Sequence, residues 1–136
     1  MTDMLESRLS LIVRSTEIDI NGHVNNAKYL EYLEWGREDW YEHAALPYDV
    51  LLALGVVTMT VNVNLNYRKE ARQNDVLTVI TRPERVGNTS FTVKQSIVRE
   101  QDQAQIADGT VTLVTVDAIK RTSTPVPEVL RRLFMS

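Results

Sequence analysis

One stretch in the middle of the chain admits a single backbone conformation. Val57, Met59, Val61, Val63 and Leu65 alternate with Thr58, Thr60, Asn62, Asn64 and Asn66. Successive side chains of a strand point to opposite faces, so a period of two predicts an extended segment with one apolar and one polar face. Three more strands are predicted downstream, at Val76–Arg82, Thr89–Arg99 and Ala104–Val116. Gly87-Asn88 and Gln101-Asp102-Gln103 mark tight reversals between them, and strands joined by such short turns must run antiparallel. The apolar phase slips around Gly109, which predicts a bulge there.

Upstream the period changes. From Arg8 to Arg14, Leu9, Leu11 and Val13 alternate with polar residues, Ile12 being the exception, so this is a first strand. From Asn26 to Ala44 the apolar positions Ala27, Leu30, Leu33, Trp40 and Ala44 recur at three- and four-residue steps, with Tyr29, Arg37 and Tyr41 alongside. That spacing predicts a long helix with one apolar stripe, and Asn25 suits its N-cap. Val50 to Leu54 predicts one further helical turn, and Glu128 to Phe134 another. The order β-α-β-β-β-β predicts an α+β fold in which one long helix lies across a five-stranded antiparallel sheet, as one domain over residues 1–136.

Composition narrows the chemistry. With no cysteine among 136 residues, thiol nucleophiles, thiolate metal sites and disulfide frameworks are excluded. A net charge of −3 without a long basic run argues against nucleic acid as partner. The apolar run Val50–Met59 is too short for a membrane span, and no targeting segment stands at the start, so the expected location is cytoplasmic. The five glycines are too dispersed for a phosphate-binding loop, and no serine sits in a G-x-S-x-G elbow.

Chemistry-bearing residues crowd between the first strand and the helix, in Glu17-Ile18-Asp19-Ile20-Asn21-Gly22-His23-Val24-Asn25-Asn26. The unpaired N–H groups and positive dipole end of a helix start suit a developing oxyanion. A turn at Asn21-Gly22 would return the Asp19 carboxylate toward that point. Asx-turns made by Asp19 and Asn21 account for the same residues without any catalysis, and both readings stand.

The stretch Asp19-x-x-Gly22-His23-Val24-Asn25-Asn26-x-x-Tyr29-x-x-Tyr32-x-Glu34-x-x-Arg37 resembles the signature of the 4-hydroxybenzoyl-CoA thioesterase-like branch of hotdog-fold acyl-CoA thioesterases. Asn66-Tyr67-Arg68, Asn74-Asp75-Val76-Leu77 and Asp108-Gly109-Thr110-Val111-Thr112-Leu113-Val114 extend the resemblance from about Arg8 to Leu133, nearest in appearance to the long-chain FadM type. The resemblance implies the hotdog fold and hydrolysis of a fatty or aromatic acyl-CoA, without metal or organic cofactor. It implies Asp19 as the catalytic carboxylate, nucleophile or general base, and the Asn26 N–H as the group polarising the thioester carbonyl. A thioester is already activated, so a placed carboxylate and an oxyanion hole suffice.

His23 is a candidate to orient water or the carboxylate, or else ties backbone groups in its turn. Glu34 is the rival catalyst, because some relatives place a carboxylate on the central helix; its i,i+3 spacing to Arg37 otherwise predicts a helix ion pair. Gly22, Asn25 and Tyr29 are candidate substrate contacts, Asn25 doubling as cap and Tyr29 as packing residue. Arg68, Lys69 and Arg72 are candidates for the CoA phosphates, or a solvated loop. Two rival functions remain: a hydratase, since D-I-N-G-H is faintly like the D-x-N-P-x-H motif of hotdog enoyl hydratases, and a non-catalytic module binding acyl-CoA or acyl-carrier protein. The neutral Thr and Asn face of residues 58–66 predicts an assembly, a homodimer or homotetramer with sites at the dimer interface.

Overall fold

Five strands and one long helix build the scaffold in the expected order, with shorter helical turns between and after them, in a computed structural model that describes residues 5–135. Strand β1 is Ser7–Ile12, helix α1 is Asn26–His43, and the short helix α2 is Tyr48–Ala53. Strands β2 (Val56–Tyr67), β3 (Val76–Val86), β4 (Ser90–Arg99) and β5 (Gln105–Asp117) follow, and a turn of helix, α3 (Glu128–Arg131), precedes a last 3₁₀ turn. The five strands form one antiparallel sheet in the order β1-β3-β4-β5-β2. This is the hotdog arrangement, with α1 lying across the sheet. Among the described residues no helix is long and apolar enough to cross a membrane.

Helix α1 starts where Asn25 caps it, its side chain accepting the Ala27 N–H at 2.9 Å. The face turned to the sheet is Tyr29, Tyr32, Leu33, Gly36 and Trp40, all buried. That stripe is rotated from the predicted one, since Ala27 and Leu30 are exposed. The rotation follows from Gly36: a Cβ there would lie 2.5 Å from Val79 Cγ1, so only glycine lets the helix settle this closely on β3 and β4. Under it pack Leu77, Val79, Val93, Ile97 and Val111, each almost fully removed from water.

Two expectations about irregularities change. Strand β3 continues past Arg82 to Val86, and the register shift between Pro83 and Arg85 absorbs a proline that has no N–H to pair. Gly109 is not a bulge: it pairs in register with Leu65 and Gln95. A Cβ on it would fall on the Asn64 carbonyl, so the glycine is there for the close approach of β2.

The bulge is instead in β2, where the register against β5 slips between Thr60 and Asn62. Directly opposed residues share a face. Before the slip Thr58 and Thr60 oppose Thr115 and Leu113, which are buried; after it Val63 and Leu65 oppose Val111 and Gly109 on that same face. The extra residue, Val61, thus switches the phase of the strand. Its first half turns hydroxyls toward α1 and its second half turns aliphatic groups.

Candidate active site

The loop before α1 is held from below by groups that spacing alone does not bring together. Buried Glu17 accepts hydrogen bonds from the Arg14 N–H and the Tyr32 hydroxyl, both at 2.8 Å. The Val24 N–H donates to the Ala71 carbonyl at 2.8 Å and the Asn25 N–H to the Glu17 carbonyl at 3.0 Å. Burial, and then the Glu17 bond, push the Tyr32 hydroxyl far above its ordinary range, so it stays a donor. Tyr29 accepts the Ala71 N–H at 3.1 Å and is likewise raised, chiefly by burial.

Asp19, Gly22, His23 and Asn26 come together on this base. Gly22 takes φ +83°, the left-handed turn that folds the loop back, and its N–H donates to the Asp19 carbonyl at 3.0 Å. Asp19 Oδ1 accepts the Asn21 N–H at 2.9 Å, so the Asx-turn exists. The turn does not consume the carboxylate: His23 Nδ1 lies 4.0 Å from Asp19 Oδ1, and among the described residues Oδ2 takes no hydrogen bond. His23 Nδ1 is also 3.2 Å from the Val24 carbonyl, and Nε2 is 3.9 Å from Glu70 Oε2. The imidazole therefore stands between two carboxylates. Asn25 spends its side chain on the Ala27 N–H, and the first helical N–H, that of Asn26, has no intrahelical partner.

His23, Asn26, Tyr29, Tyr67, Arg68 and Lys69 line a cavity of about 230 Å³ at this helix start. Tyr67 packs edge-on against Tyr29 with ring centres 5.5 Å apart, and its hydroxyl donates to the Asn26 carbonyl at 3.3 Å. The basic cluster is divided. Arg68 is engaged by Asp108 through two bonds of 3.0 and 3.1 Å, and Arg72 by Glu70 at 2.6 Å. Lys69 lines the cavity and has no ion pair among the described residues, whereas Arg72 does not line it. Glu70 is held below the usual carboxylate range, first by the Arg72 hydrogen bond.

Glu34 is elsewhere. It faces the groove between α1 and β2, along two larger cavities of about 260 and 490 Å³, away from Asp19. The Glu34–Arg37 ion pair expected from their spacing does not form; Arg37 Nη1 donates instead to Gln95 Oε1 at 3.1 Å. The 490 Å³ cavity thus lies at the far end of α1 from the carboxylate loop. Sequence reasoning assigned no role to Glu17, Tyr67, Glu70 and Gln95, each of which meets a partner far along the chain: Tyr32, Asn26, His23 and Arg37 respectively. Only the acidic position of Glu17 within the motif segment hinted at a role. Among the described residues no cluster of His, Asp and Glu is disposed to hold a metal ion.

The family profile of the thioesterase-like superfamily matches residues 13–134. Long-chain acyl-CoA thioesterase FadM from Escherichia coli is 34% identical over 105 residues, covering 77% of this chain and 79% of that protein. In fold, the chain superimposes on a 1,4-dihydroxy-2-naphthoyl-CoA thioesterase from Synechocystis with TM-score 0.86, at 16% identity over 95% of each chain. A Staphylococcus aureus protein solved in complex with CoA gives TM-score 0.87 at 18% identity, covering 98% of this chain and 84% of that one. The profile match over nearly the whole chain and the 34% identity to a thioesterase define the class of protein, and the hotdog sheet agrees with it. The chain belongs to the thioesterase-like superfamily and is a thioester hydrolase.

Proposed function

We propose that this thioester hydrolase acts on fatty acyl-CoA, with Asp19 as the catalytic carboxylate and the Asn26 N–H as the oxyanion donor. The observation that carries this reading is the Asp19 carboxylate, with one oxygen uncommitted, folded back by Gly22 beside His23 and the unpaired helix start. The identity to a long-chain acyl-CoA thioesterase supports CoA as the leaving group. The carboxylate takes a proton from the attacking water, or attacks the thioester carbonyl to give an acyl–Asp19 anhydride that water then hydrolyses to the free acid. The charge that develops on the carbonyl oxygen falls at the positive end of α1, and the CoA thiolate leaves without acid help. The reaction needs no metal or organic cofactor, because the thioester supplies its own activation. His23, 4.0 Å from Asp19, orients the carboxylate or the water. Lys69, with Arg68 exchanging from Asp108, meets the CoA phosphates at the rim.

The same reading includes a second copy of the chain. Strand β2 lies at the sheet edge over its whole 12 residues, contains no Lys, Glu, Asp or Pro, and exposes Met59, Val61 and Val63. Such an edge is a template for pairing, and antiparallel pairing of β2 with the partner's β2 closes the groove beside α1.

Asp19→Asn tests the chemistry, since it keeps size and reach but removes basicity. Thiol release from an acyl-CoA panel is expected to fall by about 10²–10⁴-fold in kcat with little change in KM. Near-wild-type turnover by that variant, together with its loss in Glu34→Gln, would transfer the role to Glu34.

A further inference from the structure

Three cavities lie in file along the groove between α1 and β2. The first, at His23 and Asn26, adjoins the proposed catalytic loop; the second is lined by Leu30, Leu33 and Val63 and, toward the third, by Glu34, Arg37 and Thr60; the third shares those three and adds Tyr41 and Thr58. Asn26, Leu30, Leu33, Arg37 and Tyr41 recur at three- and four-residue steps and so form one stripe of the helix. Across the groove β2 is traversed in the opposite sense, from Tyr67 through Val63 to Thr60 and Thr58. The groove is therefore apolar at Leu30, Leu33 and Val63 and turns polar where Arg37 and Thr60 enter its wall, and the Val61 bulge, between Val63 and Thr60, sets the point of change.

The polar end is built around a cation. Arg37 Nη1 donates to Gln95 Oε1 at 3.1 Å, and Gln95, 1% exposed, is itself locked by donating to the Leu33 carbonyl at 2.9 Å and Thr81 Oγ1 at 2.8 Å. Burial is the main influence on the guanidinium and lowers its pKa. Glu34 and Glu38 are near enough to act on that charge, yet neither closes to an ion pair. Glu42 and Asp49 complete the cavity wall. Guanidinium donors thus remain open to the cavity, within a rim of four carboxylates.

We infer that Arg37 is a specificity-determining residue that stops saturated acyl chains at the far end of the α1–β2 groove and admits longer chains bearing a neutral hydroxyl there. This rests on the proposed acyl-CoA hydrolysis at Asp19. Eleven residues separate Asn26 from Arg37, or about 16 Å of helix at about 1.5 Å per residue. An extended chain advances roughly 1.2 Å per bond, so the guanidinium is met after roughly 12–14 bonds. Methylenes before that point gain by burial against Leu30, Leu33 and Val63. A methylene or methyl beyond it strips water from a cation and returns no hydrogen bond. A chain hydroxyl instead accepts from Arg37 and donates to Glu34 or Glu38. A terminal carboxylate gains the same cation but meets four carboxylates, so it is disfavoured.

The test is kcat/KM by thiol release for straight saturated acyl-CoAs across this length, and for long chains with a hydroxyl at the Arg37 position. In the wild type, saturated chains are expected to improve up to about 12–14 bonds and then fall about tenfold or more, the hydroxylated chain recovering the loss. Arg37→Met, with folding checked by thermal unfolding, should remove both the fall and the hydroxyl preference, while Arg37→Lys keeps them. A saturated series that climbs smoothly past that length, or a profile identical in Arg37→Met, overturns the inference and leaves acyl-CoA hydrolysis standing. If Arg37→Met does not fold, the wild-type ratio of hydroxylated to saturated chain decides alone, and a ratio near one overturns it. Failure of the wild type to hydrolyse or bind any acyl-CoA would reject the underlying reading, and this inference with it.

Discussion

Strands β2 and β4 are of similar length and both are rich in Val, Thr and neutral polar residues, yet their surroundings are opposite. Strand β4 has β3 on one side and β5 on the other, with Phe91, Val93, Gln95 and Ile97 sealed under α1. Strand β2 has β5 on one side only, and Met59 and Val61 stay 53% and 60% exposed. The residues of β4 complete the fold, whereas those of β2 stay open at the sheet edge, where the proposed second copy would pair. Even the polar residues divide in this way. Gln95 has every strong hydrogen-bonding need met inside the chain, while Thr60, Asn62 and Asn64 face a groove or an open edge. Burial is concentrated in the centre of the sheet, and the proposed acyl groove and pairing edge run along β2.

The largest break in that comparison is Gly109→Ala. Its methyl would meet the Asn64 backbone, which cannot move without separating β2 from β5. Denaturant titration is expected to show a loss beyond about 4 kcal/mol, the class of effect produced by backbone collision. A loss under about 1 kcal/mol would mean that β2 shifts freely, and the edge would then be less defined than its register indicates.

Identical truncations in the two strands give a direct measure. Val93→Ala removes two methyl groups from a site 1% exposed and should cost about 2 kcal/mol or more. Val61→Ala, at a bulge open to solvent, should change the stability of the single chain by less than about 0.5 kcal/mol. Equal losses would erase the distinction. Val61→Lys then asks what the edge is for, since a charge on an edge strand opposes pairing. The dimer dissociation constant, from sedimentation across a dilution series, should rise at least about tenfold, or about 1.4 kcal/mol. The same mass for both proteins at every concentration would show that β2 does not join copies.

Local features were legible in the sequence. Asn25 as cap, the start of α1, the β-α-β-β-β-β order and the antiparallel pairing each depend on neighbours a few residues apart, and each stands in the structure. The carboxylate loop was legible in composition, and Gly22 does turn it back toward the helix start. What was hidden depends on distant partners. The strict alternation of residues 57–65 concealed a phase switch, because a bulge is defined by the opposite strand, not by its own period. The i,i+3 spacing of Glu34 and Arg37 was overridden by Gln95, 58 residues away, which draws the guanidinium to the sheet. The apolar stripe of α1 was misjudged at Ala27 and Leu30 because a glycine, contributing nothing to a hydrophobic pattern, decides which face descends on β3.

The smallest expected effect lies where β2 ends. Arg68 grips Asp108 of β5 through two bonds of 3.0 and 3.1 Å, with Asn66 adding a longer one, so this pair fastens the free edge to the sheet. The Arg68 hydrogen bond is the first cause holding the Asp108 carboxyl below its usual range. A carboxylate depressed in the folded state favours folding wherever the unfolded chain has it ionised, that is above about pH 4. That contribution fades as pH falls through the folded value, when both states carry the proton. The pair is largely exposed, so Arg68→Ala should lower Tm near neutral pH by at most about a few degrees. The difference from wild type should shrink on acidification below about pH 4 and close once Asp108 is protonated in both states. A difference that persisted or grew in acid would assign Arg68 a packing role at the edge, and the fastening of β2 would then owe nothing to charge.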